Sequence, residues 1–392
     1  MNTHFVERGA KDFFKLNFSS DPWRRNSEID WTLALTAATS WLLRTIDESN
    51  GNASSKGFRF LKGWMPPYPE TSGYLIPTLL TLARDEADPT DLARRAQLIA
   101  DWLIGIQLPN GGFRGGEVGT LQDPDVFDTG MILLGFNSLI HETGDPKVAA
   151  AAKGAAEFLV SSLDETGCFV RHLSHDIIHA YNVRSAWGLV AYGRLSGQDA
   201  FVEAGMANAR WTQRQQNSVG FYGQNAFKKG GNANTHGTAY VMQGLLQIYD
   251  LTKDSACLES TVRAAQPLRD LYREHGWIAA ELGPDWQYLS RHTCLTGYAQ
   301  IAIVFLRLFE LTGEEDYRRS AESLLRDVAS TQDLRRKTSP QYGAIAGSFP
   351  IYGRYAPLQY PNWATKFFVD ALLAKARVDK GERSPSFLLY GG

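Results

Sequence analysis

Apolar positions recur at three- and four-residue spacing through the chain, and the windows that carry this period alternate between two kinds. Windows of mixed polarity at about 29–48, 89–107, 146–163, 199–216, 255–274 and 315–331 read as outer helices. More uniformly apolar windows at about 72–84, 128–143, 182–195, 236–251, 293–312 and 362–377 read as buried helices. Between the two kinds lies a recurring glycine-aromatic signature, Gly57-Phe58, Gly112-Phe113, Gly167-Cys168-Phe169, Gly220-Phe221 and Gly276-Trp277, at intervals of about 55 residues. The chain therefore predicts six helical hairpins.

Connections from each apolar helix to the next mixed one are short: His141–Lys147, Arg194–Ala200, Asp250–Ala256 and Glu310–Asp316, with Gly or Lys at the helix end and mostly Asp before the next start. The opposite connections run to about 15–30 residues each. In a closed ring of hairpins the apolar helices are parallel and innermost, so the long segments and the inner-helix N-termini share one mouth. The expected fold is all-α, an (α/α)6 toroid spanning residues 1–392 as a single domain, with 1–28 as an N-terminal extension.

Composition fits one large core: 392 residues, 44% hydrophobic and 12% aromatic. A net charge of -2, with only short isolated basic runs such as Arg24-Arg25 and Arg335–Lys337, argues against a nucleic-acid partner. No window reads as a transmembrane segment. Three scattered cysteines and an N-terminus without an unbroken apolar stretch read as a cytoplasmic protein, or as a periplasmic one whose leader is trimmed.

Long irregular segments are where binding and catalysis concentrate. Six of the eight histidines (His172, His175, His179, His236, His275 and His292) lie on them, with many tryptophans and tyrosines. Flat rings with polar edges suit the alternating apolar and hydroxyl faces of sugars, so the expected partner is an oligosaccharide, a polysaccharide or a carrier-linked glycan. Tyr74, Tyr181, Trp286, Tyr298, Tyr355 and Trp363 are the rings assigned to it.

In Asn234-Thr235-His236-Gly237-Thr238-Ala239-Tyr240 the i, i+4 spacing puts His236 and Tyr240 on one helical face. A neutral imidazole and a phenol can take one proton and return another, the chemistry needed at a carbon beside a carboxylate, with Asn234 available to that carboxylate. Asp125 and Asp128 stand just before or at an inner-helix start, where Asp128 is the expected N-cap. Pairing Glu70 across the lumen with Asp128 or Asp285 would give the two carboxyls of glycoside hydrolysis. Arg184, Arg291 with His292, and Arg354 are candidates to grip an anionic group, and His179 to contact the sugar. Cys168, His172, His175 and His179 have spacings that suit zinc only on a helix, and no metal or other cofactor is expected.

Gln107-Leu108-Pro109-Asn110-Gly111-Gly112-Phe113 resembles the Q-x-x-x-G-x-F/W turn of terpene cyclases and prenyltransferase β-subunits, which are also α/α toroids, without their acidic or zinc-binding motifs. Asn234-x-His236 followed by Tyr240 resembles elements of α/α-toroid polysaccharide lyases acting on uronates. Along most of its length, through Tyr68–Tyr74, Asp128–Gly130, Cys294–Gly297 and Pro361–Phe368, the chain resembles a bacterial family associated with exopolysaccharide biosynthesis. Size and toroid are also similar to N-acylglucosamine 2-epimerases. The resulting expectation is abstraction of the C5 proton of a uronic-acid residue, ending in β-elimination or epimerisation. The alternatives are a glycoside hydrolase working through paired carboxyls and a non-catalytic glycan-binding protein.

Overall fold

The computed structural model describes residues 28–85, 90–120 and 123–382. All of the expected N-terminal extension except Glu28 lies outside the described residues. Six hairpins follow in order. Outer helices are α1 (Trp31–Asp47), α4 (Thr90–Ile106), α6 (Pro146–Ser161), α8 (Asp199–Gln213), α10 (Ser255–His275) and α12 (Glu315–Ser330). Inner helices are the one-turn α2 (Pro69–Gly73) continued by α3 (Leu75–Asp85), then α5 (Val126–Thr143), α7 (Val183–Ser196), α9 (Thr235–Thr252), α11 (Leu295–Thr312) and α13 (Asn362–Asp379). Each inner helix packs on its neighbours, and α13 closes the ring against α1 and α3, giving the (α/α)6 toroid.

Local chemistry explains the short connections. Gly144, Gly197, Lys253 and Gly313 end α5, α7, α9 and α11 in the left-handed region, at φ 64°, 67°, 60° and 74°. Asp145 and Asp254 then cap the next helices by accepting from Lys147 N (2.8 Å) and Ala256 N (2.9 Å).

The glycine repeat has a packing cause. Gly111, Gly167, Gly220 and Gly343 have φ between 83° and 86°, and a Cβ on any of them would fall 2.0–2.4 Å from a carbonyl oxygen of the following outer helix. The turn residue is thus Gly111 rather than Gly112. Gly343, not apparent as a repeat in the sequence, meets Ala37 O on α1 and so joins the last turn to the first helix. A glutamine at or just after the outer-helix end pins three of these turns. Gln107 donates to Gly111 O and Ala151 O, Gln216 to Gly220 O and Ser260 O, and Gln332 to Gly343 O and Ala34 O, all within 2.8–3.1 Å. The Gln-x-x-x-Gly resemblance therefore reflects turn mechanics.

Short antiparallel pairings zip the long segments together at the mouth. β1 (Gly57–Arg59) pairs with β2 (Gly63–Trp64) and with β7 (Gln359–Pro361), joining the first long segment to the last. β3 (Ala233–Asn234) pairs with β4 (Glu281–Leu282), and β5 (Thr293–Cys294) with β6 (Ser348–Phe349). Phe113, Phe169 and Phe221 of the repeats are buried, each contributing about 1.5–3 kcal/mol of burial. Leu295–Thr312 is long and apolar enough to cross a membrane by length and composition, but 72% of it is buried inside the ring, where it serves as an inner helix.

Candidate functional site

At the mouth, the first turns of α2, α5, α9 and α13 and the turn before α7 enclose a cavity of about 230 Å³. Its polar side chains are Lys56, Glu70, Asp128, Ser174, His175 and His236, and its rings are Tyr68, Tyr74, Phe127, Tyr181, Phe227, Tyr240, Tyr355 and Trp363. The rings support one another. Phe127 meets Tyr181 edge-on at 5.0 Å and Tyr240 at 5.1 Å, Phe227 lies 5.5 Å from Tyr181, and Trp363 Nε1 donates to Tyr355 Oη at 2.7 Å.

Two carboxyls line this cavity and a third stands behind them. Asp125, and not Asp128, caps α5, accepting from Phe127 N (2.7 Å) and Asp128 N (3.1 Å), because helical backbone geometry begins at Val126. Its other oxygen accepts from Ser174 Oγ at 2.6 Å. Asp128, in the first turn, accepts from Gly116 N at 3.1 Å. Glu70 opens α2 and is hydrogen-bonded by Tyr68. All three are buried.

Burial penalises their charged forms and the like charges repel one another, so their affinities for protons rise. Glu70 moves from 4.5 to about 7, mainly by burial, with the Tyr68 hydrogen bond opposing and Asp125 adding to the rise. Asp128 moves well above the ordinary carboxylate range, through burial first and then the charges of Asp125 and Glu70. Asp125 also rises by burial, restrained by the Ser174 and backbone hydrogen bonds. Lys56, the lysine at the cavity, is 2.7 Å from Glu117. A helix N-terminus favours the charged form of a carboxyl, and at Asp128 burial and the neighbouring carboxyls outweigh it.

His236 and Tyr240 sit side by side at the cavity, ring centroids 4.2 Å apart. Burial drives His236 down to about 3, with the Gln300 hydrogen bond opposing and nearby Arg184 contributing. Its imidazole is neutral and weakly basic.

Other sequence candidates fall elsewhere. Asn234 is the N-cap of α9, its side chain accepting from His236 N at 2.9 Å, and it does not line the cavity. Arg184 is the second residue of α7 and does not line the cavity; it lies against Tyr240 at 4.9 Å and is bonded to Gln243 and Met131. Arg291 and Arg354 are exposed, as is Asp285. His292 Nε2 accepts from Arg354 N at 3.2 Å. Trp286 packs on Phe221 and donates to Val219 O, while Tyr298 Oη binds both the N–H and the carbonyl of Ile278. These two rings are loop supports. His179 is buried, stacked on Tyr181 at 4.4 Å, and lowered to about 4 by burial. Of the histidine-cysteine series, His172 packs at a tilt on Phe158 and the Cys168 thiol donates to Phe169 O, so the side chains diverge. Among the described residues no group of three or more His, Cys, Asp or Glu is arranged to hold a metal ion.

The sequence reading did not single out Lys56, Ser174, Phe127 or Phe227 for the site; the aromatics carried a usable signal, each lying beside a chosen residue or on a long segment.

No family model matches the chain, and no curated protein matches it in sequence. Solved structures are similar in fold. An unsaturated glucuronyl hydrolase specific for heparin superposes with a TM-score of 0.70 at 17% identity, over 90% of this chain and 98% of that one. The unsaturated glucuronyl hydrolase from Bacillus sp. GL1 gives 0.70 at 15% identity, over 92% and 98%. A D-mannose isomerase gives 0.67 at 11% identity, over 92% and 100%. At these identities the likeness establishes the fold that the chain shares with these carbohydrate-active toroids.

Proposed function

We propose that the chain is a sugar-processing enzyme of hydrolase type, with Asp128 as proton donor and Glu70 as its acid/base partner. The carrying observation is that Glu70 and Asp128 line one aromatic cavity with raised proton affinities, while Asp125, buried behind the lining, adds its charge to both. The raised proton affinity of Asp128 suits it to give a proton to a glycosidic oxygen, while Glu70, titrating near 7, can take one from the attacking water. Asp125 acts on both as a fixed neighbouring carboxyl. The small cavity, below the roughly 300–1,000 Å³ of drug-sized pockets, suits the terminal ring of a saccharide. Two fold neighbours are named as unsaturated glucuronyl hydrolases, which makes uronate-terminated oligosaccharides the first substrates to test. Lys56 lines the cavity and would meet a substrate carboxylate there in competition with Glu117. The resemblance to the exopolysaccharide-associated family directs the choice toward bacterial glycans.

A second reading, removal of a uronate C5 proton by His236 with Tyr240 as acid, is favoured by the 4.2 Å ring pair. Against it stands the depressed basicity of His236. The two separate in one incubation with uronate-terminated oligosaccharides. New reducing ends without C5 deuterium uptake or ultraviolet absorbance from a new unsaturated product are expected; deuterium uptake or elimination, lost in His236→Ala but kept in Asp128→Asn, would overturn the hydrolase reading.

A further inference from the structure

Beneath the cavity lies a chain of hydrogen bonds whose direction is fixed at one end. Arg184 is buried on α7, and its guanidinium can only donate. Its Nη1 meets a side-chain oxygen of Gln243 on α9 at 2.7 Å, so Gln243 must present Oε1 and not its amide nitrogen. The same Oε1 takes a second bond from Gln300 Nε2 on α11, at 3.0 Å. With its nitrogen so used, Gln300 can turn only Oε1 toward His236, whose Nδ1 lies 2.5 Å away. An amide oxygen accepts, so Nδ1 carries the proton. In a neutral imidazole Nε2 is then bare. Gln300 has no exposed surface and lies inside the ring, whereas His236 lines the cavity, so the edge of the imidazole left for a ligand is the one bearing Nε2.

We infer that Arg184, Gln243 and Gln300 are positioning residues that hold His236 as its Nδ1–H tautomer, making Nε2 a fixed acceptor for one hydroxyl of the bound sugar. The hydroxyl assignment rests on the saccharide reading above; the tautomer does not. Burial reinforces the arrangement by keeping the ring uncharged. Two neighbouring rings, Tyr240 and Tyr355 with centroids at 4.2 and 5.4 Å, restrict its rotation. The acceptor would discriminate by penalty as well as by attraction, because a sugar lacking that hydroxyl leaves a bare, desolvated nitrogen.

The test begins with histidine-¹⁵N-labelled full-length protein without ligand, at pH 7. Long-range ¹H–¹⁵N spectra, with His236→Gln for assignment, are expected to show His236 protonated at Nδ1 and unprotonated at Nε2. A proton on Nε2, or an imidazolium, overturns the relay. Gln300→Glu keeps an acceptor beside Nδ1 but adds a negative charge that favours the imidazolium, turning Nε2 into a donor; Gln243→Met removes the oxygen that orients Gln300 and is expected to mix the tautomers. With uronate-terminated oligosaccharides, both variants should raise KM about tenfold with a smaller change in kcat. A changed tautomer with unchanged KM refutes the hydroxyl contact and leaves the relay standing. Absence of hydrolysis in every protein, with the expected wild-type spectrum, refutes the hydrolase reading and not the tautomer.

Discussion

The two ends of the toroid lumen treat buried charge in opposite ways. Below the cavity, toward the far end, buried carboxylates have cations in contact: Lys366 Nζ lies 2.6 Å from Asp370, and Arg307 holds Asp250 through bonds of 2.6 and 3.0 Å while also meeting Glu310. At the mouth Glu70, Asp125 and Asp128 crowd one another, and Lys56 is engaged by Glu117. Paired charges satisfy one another and serve the fold; carboxyls without a contacting cation keep their protons to higher pH and can exchange them with a ligand. Burial raises Asp250 as well, but there Arg307 pulls against it. The contrast, more than the presence of acids in a cavity, locates the chemistry.

The sharpest break of this contrast is at Asp128. Asp128→Asn is expected to reduce hydrolysis about 10²–10⁴-fold with little change in stability, because a neutral amide takes the place of a buried carboxyl whose charged form burial disfavours; loss of folding with retained specific activity would reverse the assignment. Arg307→Leu should do the opposite. Breaking the Asp250–Arg307 pair leaves a carboxylate buried without its partner and is expected to cost about 3–5 kcal/mol in urea unfolding, with turnover per folded molecule preserved. A smaller effect concerns pH. Glu70 is raised in the folded state, from 4.5 to about 7, so its contribution favours folding below about pH 4.5 and is lost as pH rises through 7. Glu70→Gln should therefore flatten the decline of unfolding free energy between those values, measured across a pH series. The smallest effect is at a short turn of the far face: Asp145→Ala removes the cap bond to Lys147 N and is expected to cost about 1 kcal/mol, read as a shift in urea midpoint with activity unchanged.

The helices were legible because two periodic signals coincide with strong stops. Gly144, Gly197 and Gly313, with Asp145 and Asp254, end and restart helices where the sequence reading placed those events. Gathering the long segments at one mouth followed from the hairpin count alone. Depth within the lumen was not legible. Arg184, Tyr298 and Glu70 each lie near an inner-helix start, yet one turn of helix, or the partner a ring finds, decides between cavity wall and interior support. The N-cap fell to Asp125 where Asp128 was expected, because both suit that position and only backbone geometry chooses between them. Gln243 and Gln300 gave no sign, since a glutamine on an apolar helix acquires meaning only from what faces it across the ring. Gln332 did carry a signal, standing near an outer-helix end like Gln107 and Gln216, but its spacing to Gly343 differs from theirs.

The most direct test of the crowded mouth is the titration of Glu70 itself, followed through its carboxyl ¹³C resonance in the wild type and in Asp125→Asn, a substitution that keeps an N-cap residue on α5. A wild-type midpoint near 7, falling in Asp125→Asn, is expected. A midpoint near 4.5 in both proteins would contradict the account.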